Sequence, residues 1–335
     1  MAPVTLAEAK LNATDAVDVQ VIDEFRKESA IADSLTFDDV VNPAGGGGTL
    51  TYVYRRLETE ATAATRELNT EYTAQNVTTK RYSTDLAVLG GAFEVDRVIA
   101  KIGPAASGAV QLNLAQKIKS TRAEFQDLVI NGDTASDPHG FDGLDKALVG
   151  SSTEIGVDTV TDWSDFDTNS RAEFKALDAI DEFLSYLDGT PTIIIGNKLA
   201  LARIRAAARR ANMYTLSPVD GLVGQNGRPV NRETYGGIVF ADAGAKAGTN
   251  DQIIPVETRT VGAESVTNLT DLYAYRVGVD GLIGLSTMGG SLISTYLPDF
   301  TTPGAVKKGE VEMGPVGIAL KATKAAAVLR NVKVR

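Results

Sequence analysis

The sequence predicts an α+β fold, and three observations carry the prediction. Helical and strand periodicities follow one another irregularly, without a βαβα repeat. One amphipathic helix, from Ser107 to Ile130, is long enough to form a rod of roughly 35 Å. Between Gly45 and Asp85 lies a polar arm of about forty residues that alternates as a hairpin does, with no apolar face large enough for a core of its own. Such an arm needs something outside its own domain to lie on, which points to assembly rather than chemistry.

Composition narrows the classes. The chain has 335 residues, enough for two or three units with real cores, and 43% are hydrophobic. Cysteine is absent, which excludes disulfides, thiolate nucleophiles and cysteine-based metal sites. Met1 to Val4 shows neither a basic region nor an apolar stretch, so no secretory signal is expected, and no apolar run approaches the roughly 20 residues of a membrane helix. Synthesis in the cytosol and no membrane partner are the resulting expectations. Net charge is −10, from 43 acidic and 33 basic residues, the reverse of a dedicated DNA binder. Acids dominate before Asn42 and bases after Ala305, an asymmetry able to set subunit register if an acidic arm meets a basic end on a neighbour.

Residues 1–42 read as an arm with weak helical pieces such as Val19 to Arg26, too poor in apolar residues for an independent core. Asn42-Pro43 breaks any helix, and Gly45, Gly46, Gly47 and Gly48 are expected to act as a hinge. Thr49 to Leu57 and Gln75 to Val88 alternate as two antiparallel strands around a polar tip, Glu58 to Ala74. Gly90 to Arg97 is read as the lead into the long helix. On that helix Val110, Leu114, Ile118, Thr121, Phe125 and Leu128 form one face.

A turn-rich loop, Asn131-Gly132-Asp133 through Gly143-Leu144, follows. A second helix is expected from about Asn169 to Leu187, burying Phe174, Leu177, Ile180, Leu184 and Leu187, with Gly189 at its C′ position. Thr192 to Ile195 is a buried strand, and Asn197 an N-cap for a helix over Lys198 to Ala211. Tyr235–Asp242, Leu272–Val279, Gly281–Ser286, Val316–Ala322 and Ala326–Val334 are further strand segments.

The chemistry-bearing residues form no enzyme-grade motif. His139, the only histidine, sits in a turn between Pro138 and Gly140, so a Ser-His-Asp arrangement has one poor candidate. Asp133, Asp137, Asp142 and Asp145 cluster around it, but their spacing matches no calcium loop and turns favour aspartate in any case. The four glycines lack the Gly-Lys-Ser/Thr of a phosphate loop. Lys198, Arg203, Arg205, Arg209 and Arg210 read as the solvent side of an amphipathic helix, with no interleaved aromatics for base stacking. No catalytic residue, metal ligand or cofactor is expected.

The order of parts resembles a known family. An acidic arm, a glycine-hinged hairpin, Phe93-Glu94-Val95-Asp96-Arg97, a long helix, then Asn131-Gly132-Asp133 with Gly140-Phe141-Asp142-Gly143-Leu144 resemble the tailed-bacteriophage major capsid protein of the Hong Kong 97-type fold. The resemblance spans essentially the whole chain as architecture, and its most specific match is the helix end with its glycine-punctuated loop. It implies an N-terminal arm (1–42), an extended hairpin loop (43–88), a peripheral domain with the spine helix (89–164), an axial domain (165–291) and return strands of the peripheral domain (292–335). It also implies that the hairpin lies over a neighbouring subunit, with Tyr52, Tyr54, Arg55, Arg56, Glu58, Arg66, Glu67, Lys80 and Arg81 as contacts.

The function so implied is non-enzymatic self-assembly into the pentamers and hexamers of an icosahedral head, built in the host cytoplasm and enclosing double-stranded DNA without sequence-specific binding. Partners would be further copies of the chain, a portal and a decoration protein. Only about forty residues precede the hairpin, too few for a fused, cleavable scaffold. With Met1 retained, a separate scaffolding protein is expected. The family's lysine–asparagine cross-link does not carry over, since Lys80 is the only lysine of the arm and no pattern identifies its partner. An encapsulin-like compartment around protein cargo is the alternative within the fold; a hydrolase built on Asp133 to Asp145 is the alternative outside it.

Overall fold

The computed structural model describes residues 30–38, 50–101, 104–166, 171–211, 216–223, 229–235, 237–249, 251–287 and 292–335. The glycine hinge and residues 1–29 lie outside the described residues. In chain order, α1 (Ile31–Ser34) and β1 (Phe37–Asp38) precede a hairpin of β2 (Thr51–Leu57) and β3 (Thr79–Asp85), then β4 (Ala87–Asp96), α2 (Arg97–Lys101) and the long α3 (Pro104–Asn131). After α4 (Leu144–Leu148), β5 (Glu154–Ile155) and β6 (Thr161–Asp162) come α5 (Ala172–Ser185), β7 (Ile193–Gly196), α6 (Lys198–Arg210), β8 (Leu216–Val223), β9 (Pro229–Tyr235) and β10 (Ile238–Asp242). The remaining strands are β11 (Glu257–Val261), β12 (Glu264–Tyr275), β13 (Leu282–Ser286), β14 (Ile293–Tyr296), β15 (Val306–Leu320) and β16 (Ala326–Lys333).

A nine-stranded sheet runs β5-β16-β12-β7-β10-β9-β8, with β11 beside β12 and β6 beside β16. Its central strand explains the continuous isoleucine run, because both faces are covered. Ile193 and Ile195 join a core with Phe125, Val129, Phe141, Leu144 and Tyr273 beneath α3 and α4. Ile194 points the other way, into a core with Ile180, Phe183, Leu201 and Ile204 of α5 and α6. The same period of two sorts Tyr273 and Tyr275 from Leu272 and Ala274. β7 and β10 pair in parallel, with α6, β8 and β9 between them in the chain, and Asn197 caps α6 as expected by accepting the Leu199 amide at 2.9 Å.

A second sheet, β1-β13-β15-β14 with β4 beside β15, shares the first core through Leu282, Met313, Val316 and Ile318. Its spine is β15, fifteen residues long, paired with β4 from Val306↔Asp96 to Val316↔Ala87. Most of this ribbon lies outside the strands expected from the sequence. Gly90-Gly91 in β4 and Gly309, Gly314 and Pro315 in β15 depress strand propensity, whereas cross-strand pairing decides the outcome.

Several expectations need correction. Phe174 is exposed rather than buried, and Phe183 takes the inward place on α5. That helix stops at Ser185, so Gly189 (φ +98°) lies beyond C′ and turns the chain toward β7 instead. The strand read over Tyr235–Asp242 is a hairpin joint: Tyr235 pairs with Ile238 across a turn containing Gly237 at φ +87°. The bases of α6 are not merely an outer face. Arg203 donates to the Val334 carbonyl at 2.7 Å and Arg210 to the Phe166 carbonyl at 2.7 Å, both guanidinium groups lying over the Phe166 ring. Finally, residues 30–38 enter the core. Ile31 is fully buried, Phe37 packs on Phe125 at 5.8 Å, and Ser34 shares a 2.8 Å hydrogen bond with the Tyr275 hydroxyl.

Candidate assembly interface

The hairpin has two parts with opposite character. At its root, Thr51 to Leu57 pair with Thr79 to Asp85 in strict register, Tyr54 opposite Tyr82 and Arg55 opposite Arg81. Alternation puts Tyr52, Tyr54, Arg56 and Tyr82 on one face, half-buried, and Val53, Arg55, Leu57 and Arg81 on the other, exposed.

The first face docks on the chain's own sheet. Tyr52 and Tyr54 pack on a small core of Leu86, Ile283, Leu285 and Ala319. Tyr54 and Tyr82 stack at 5.8 Å, and Arg56 lies 4.3 Å from the Tyr82 ring centre. Arg56 donates to the Lys321 carbonyl at 3.0 Å and also to the Leu320 carbonyl, which accepts from the Tyr54 hydroxyl at 3.0 Å as well. Burial pushes the Tyr54 phenol upward, against the pull of Arg56. The arm therefore has a buried face after all, supplied by the tyrosines. Tyr82 was the missed member, although its place opposite Tyr54 follows from the alternation.

Beyond the root the chain stands clear. Every residue from Leu57 to Arg81 is exposed, with Leu68 at 90% and Tyr72 at 63%. The tip is ordered by its own contacts: the Thr78 amide donates to Thr59 Oγ1 at 2.7 Å and the Thr62 hydroxyl donates to Gln75 Oε1. A turn closes from the Thr70 amide to the Glu67 carbonyl at 3.3 Å, with Asn69 at φ +69°. Arg66 is used locally, bonding the Thr70 carbonyl at 3.1 Å and lying over Tyr72. Among the sequence-predicted contacts, Tyr52, Tyr54 and Arg56 thus face the chain's own sheet. Arg55, Glu58, Glu67 and Arg81 face outward with no ionic partner among the described residues, and Lys80 leans over Tyr82 at 5.7 Å.

The loop after the long helix α3 is a structural clasp. The Gly143 amide donates to the Gly132 carbonyl at 2.8 Å, so both ends of the loop touch. A Cβ on Gly143 would lie 2.6 Å from the Ile130 and Leu128 carbonyl oxygens, which is why glycine stands there. Lys146 bridges Asp133 at 2.6 Å and Asp142 at 2.9 Å. The Lys146 ammonium holds the Asp133 carboxyl below its ordinary range. Partial burial raises Asp142, but hydrogen bonds from Thr134 and Lys146 outweigh it and leave it lowered too.

Asp145 leaves this group, bonding Arg330 at 2.5 Å and accepting the Tyr273 hydroxyl at 2.7 Å. Arg330 in turn reaches Glu154 at 2.8 Å and the buried Asp271 at 3.4 Å, tying α4 to the large sheet. His139 is exposed, its amide bonded to Asp137 at 3.0 Å. No cluster with metal-ligand geometry occurs among the described residues. Several bases after Ala305 are likewise used within the chain: Lys307 on loop carbonyls, Lys308 on Glu310, Lys333 on Asp162.

The whole arrangement matches solved structures. The encapsulin SrpI of Synechococcus elongatus superposes with a TM-score of 0.58 at 15% identity, over 100% of this chain and 97% of that one. A Mycobacterium phage Adephagia structure gives 0.56 at 11% identity, over 100% and 99%. The capsid of Myoviridae phage XM1 gives 0.53 at 10% identity, over 98% and 99%. No protein-family model and no curated protein sequence matches the chain. The chain has the Hong Kong 97-type fold found in phage capsids and an encapsulin.

Proposed function

We propose that the chain is the major capsid protein of a tailed bacteriophage, self-assembling into pentamers and hexamers of an icosahedral head around double-stranded DNA. The observation that carries this reading is a full-length Hong Kong 97-type fold whose hairpin leaves Leu57 to Arg81 exposed on a single copy. Apolar side chains such as Leu68 and Tyr72, held out on a locally ordered arm, suit a surface contributed by another copy. On this reading the arm straps a neighbour, residues 43–88 forming the extended loop and 165–291 the axial domain. Assembly takes place in the host cytoplasm with a separate scaffolding protein, a portal and a decoration protein as partners, and the product is the virion. No described helix is long and apolar enough to cross a membrane.

A second reading, a compartment shell around protein cargo, is favoured by the encapsulin likeness over the full chain. The carboxylates of Asp133 to Asp145 have structural partners in both readings, and exchanging them should disturb folding rather than turnover.

The test is electron microscopy of the chain expressed alone and with its neighbouring genes. Closed shells are expected, and deletion of Leu57 to Gln75 should abolish them or leave them fragile. Normal shells from that deletion would refute the strap. Nuclease-protected DNA supports the phage head, whereas a copurifying enzyme with a targeting tail supports the compartment.

A further inference from the structure

The hairpin is electrically polarised along its length. Its root carries Arg55 directly opposite Arg81 on the exposed face, with Arg56 and Lys80 on the docked one. Two like charges facing each other across an antiparallel pair repel, and neither Arg55 nor Arg81 has an ionic partner among the described residues. Exposed Val53 and Leu57 flank Arg55 on that face. The tip has the opposite sign. Glu60, Glu67 and Glu71 are exposed and without a cationic partner, beside the exposed apolar side chains of Leu68 and Tyr72. Arg66, the one base of the tip, is taken up by the Glu67 and Thr70 carbonyls and the Tyr72 ring.

The two poles cannot neutralise each other within one copy. From Arg55 to Glu67 the extended chain spans about 40 Å, whereas charges are screened within about 8 Å at physiological salt. The root is also clamped to its own sheet by Tyr54 and Arg56, so the hairpin does not fold back on itself. Each copy therefore presents an unmatched basic, apolar-flanked patch and an unmatched acidic, apolar-flanked tip.

We propose that these are the two halves of one heterologous contact. The acidic tip of one hairpin, Glu67-Leu68 with Glu71-Tyr72, seats on the Val53-Arg55-Leu57/Arg81 face of the next copy's hairpin root, linking hairpins head to tail around a ring. This rests on the shell reading above and names the surface that receives the strap. A head-to-tail contact closes on itself only as a ring, and the guanidinium pair supplies the donor fork that carboxylates accept.

The experiment uses two full-length variants, Arg55→Glu/Arg81→Glu and Glu67→Lys/Glu71→Lys. All four positions are exposed, so both chains should keep the parent's thermal midpoint. Association is followed by sedimentation and closure by electron microscopy. Each variant alone should need a subunit concentration higher by about tenfold or more to associate. A 1:1 mixture should regain much of the loss, because acidic root then meets basic tip between different copies.

Unchanged association of either variant, or a mixture no better than its components, overturns the contact while leaving the shell reading standing. Rings that form and respond to mixing but never close support the contact and refute the shell. A parent chain that stays monomeric overturns both.

Discussion

Replacing Arg56 by alanine should loosen the hairpin root without unfolding the protein. The side chain is half-buried and donates to two backbone carbonyls, those of Leu320 and Lys321, while covering Tyr82 at 4.3 Å. A hydrogen bond from a charged donor contributes about 1.5–3 kcal/mol net, and a partly exposed cation–π contact about 0.5–1 kcal/mol. Solvent exposure places the charged bonds at the low end of that range, and the Leu320 carbonyl keeps the Tyr54 hydroxyl after the change. About 2 kcal/mol of docking free energy is then lost, roughly 30-fold in the opening equilibrium.

Amide hydrogen exchange on dissociated subunits reads this directly. Exchange across residues 51–57 and 79–85 should accelerate by about that factor, while β7 and β16 stay protected. Arg56→Lys should fall between, since an ammonium cannot reach both carbonyls in the guanidinium's planar fork. Unchanged exchange at the root, or an equal rise in β7, would refute the idea that Arg56 clamps the hairpin locally.

Three further outcomes follow from the same contacts. Gly143→Ala should destabilise by about 3 kcal/mol in denaturant melts, because the new methyl meets backbone oxygens of Leu128 and Ile130 that cannot withdraw separately. Lys146→Met should lower the thermal midpoint at neutral pH, and by progressively less as the solution is acidified. Asp133 and Asp142 are held below the ordinary carboxylate value of 3.8, so their stabilisation is present above it and lost as pH falls through the depressed values. Asp242→Asn should do the reverse. Burial raises that carboxyl, Lys198 at 3.5 Å offsets it only in part, and the cost exists only while the group is ionised. A gain of about 2 °C is expected at pH 7, shrinking as pH falls through the raised value.

Local periodicity carried the parts whose neighbours lie close in sequence. The hairpin alternation, the long helix, the Ile193–Ile195 strand and the Asn197 cap all depend on contacts within a few residues, and each stands in the structure near its expected place. Pairings over long separations were not legible. The β4–β15 ribbon joins residues more than two hundred positions apart, and its glycines conceal two long strands. The inward turn of Phe183 rather than Phe174 depends on where β16 and α6 press on α5, which no helical wheel contains.

The candidate interface divides in the same way. Its residue types, a glycine-led polar hairpin with a basic root and an acidic tip, are written in the sequence, and with them the expectation of an external partner. Only the tertiary structure decided which face remains free. Tyr54 and Arg56 are spent on the chain's own Leu320 and Lys321 carbonyls, through contacts some 265 residues distant, and Tyr82 stacks on Tyr54 beneath Arg56. That docking turns Arg55 and Arg81 outward, since side chains on a strand must alternate and one face was already taken.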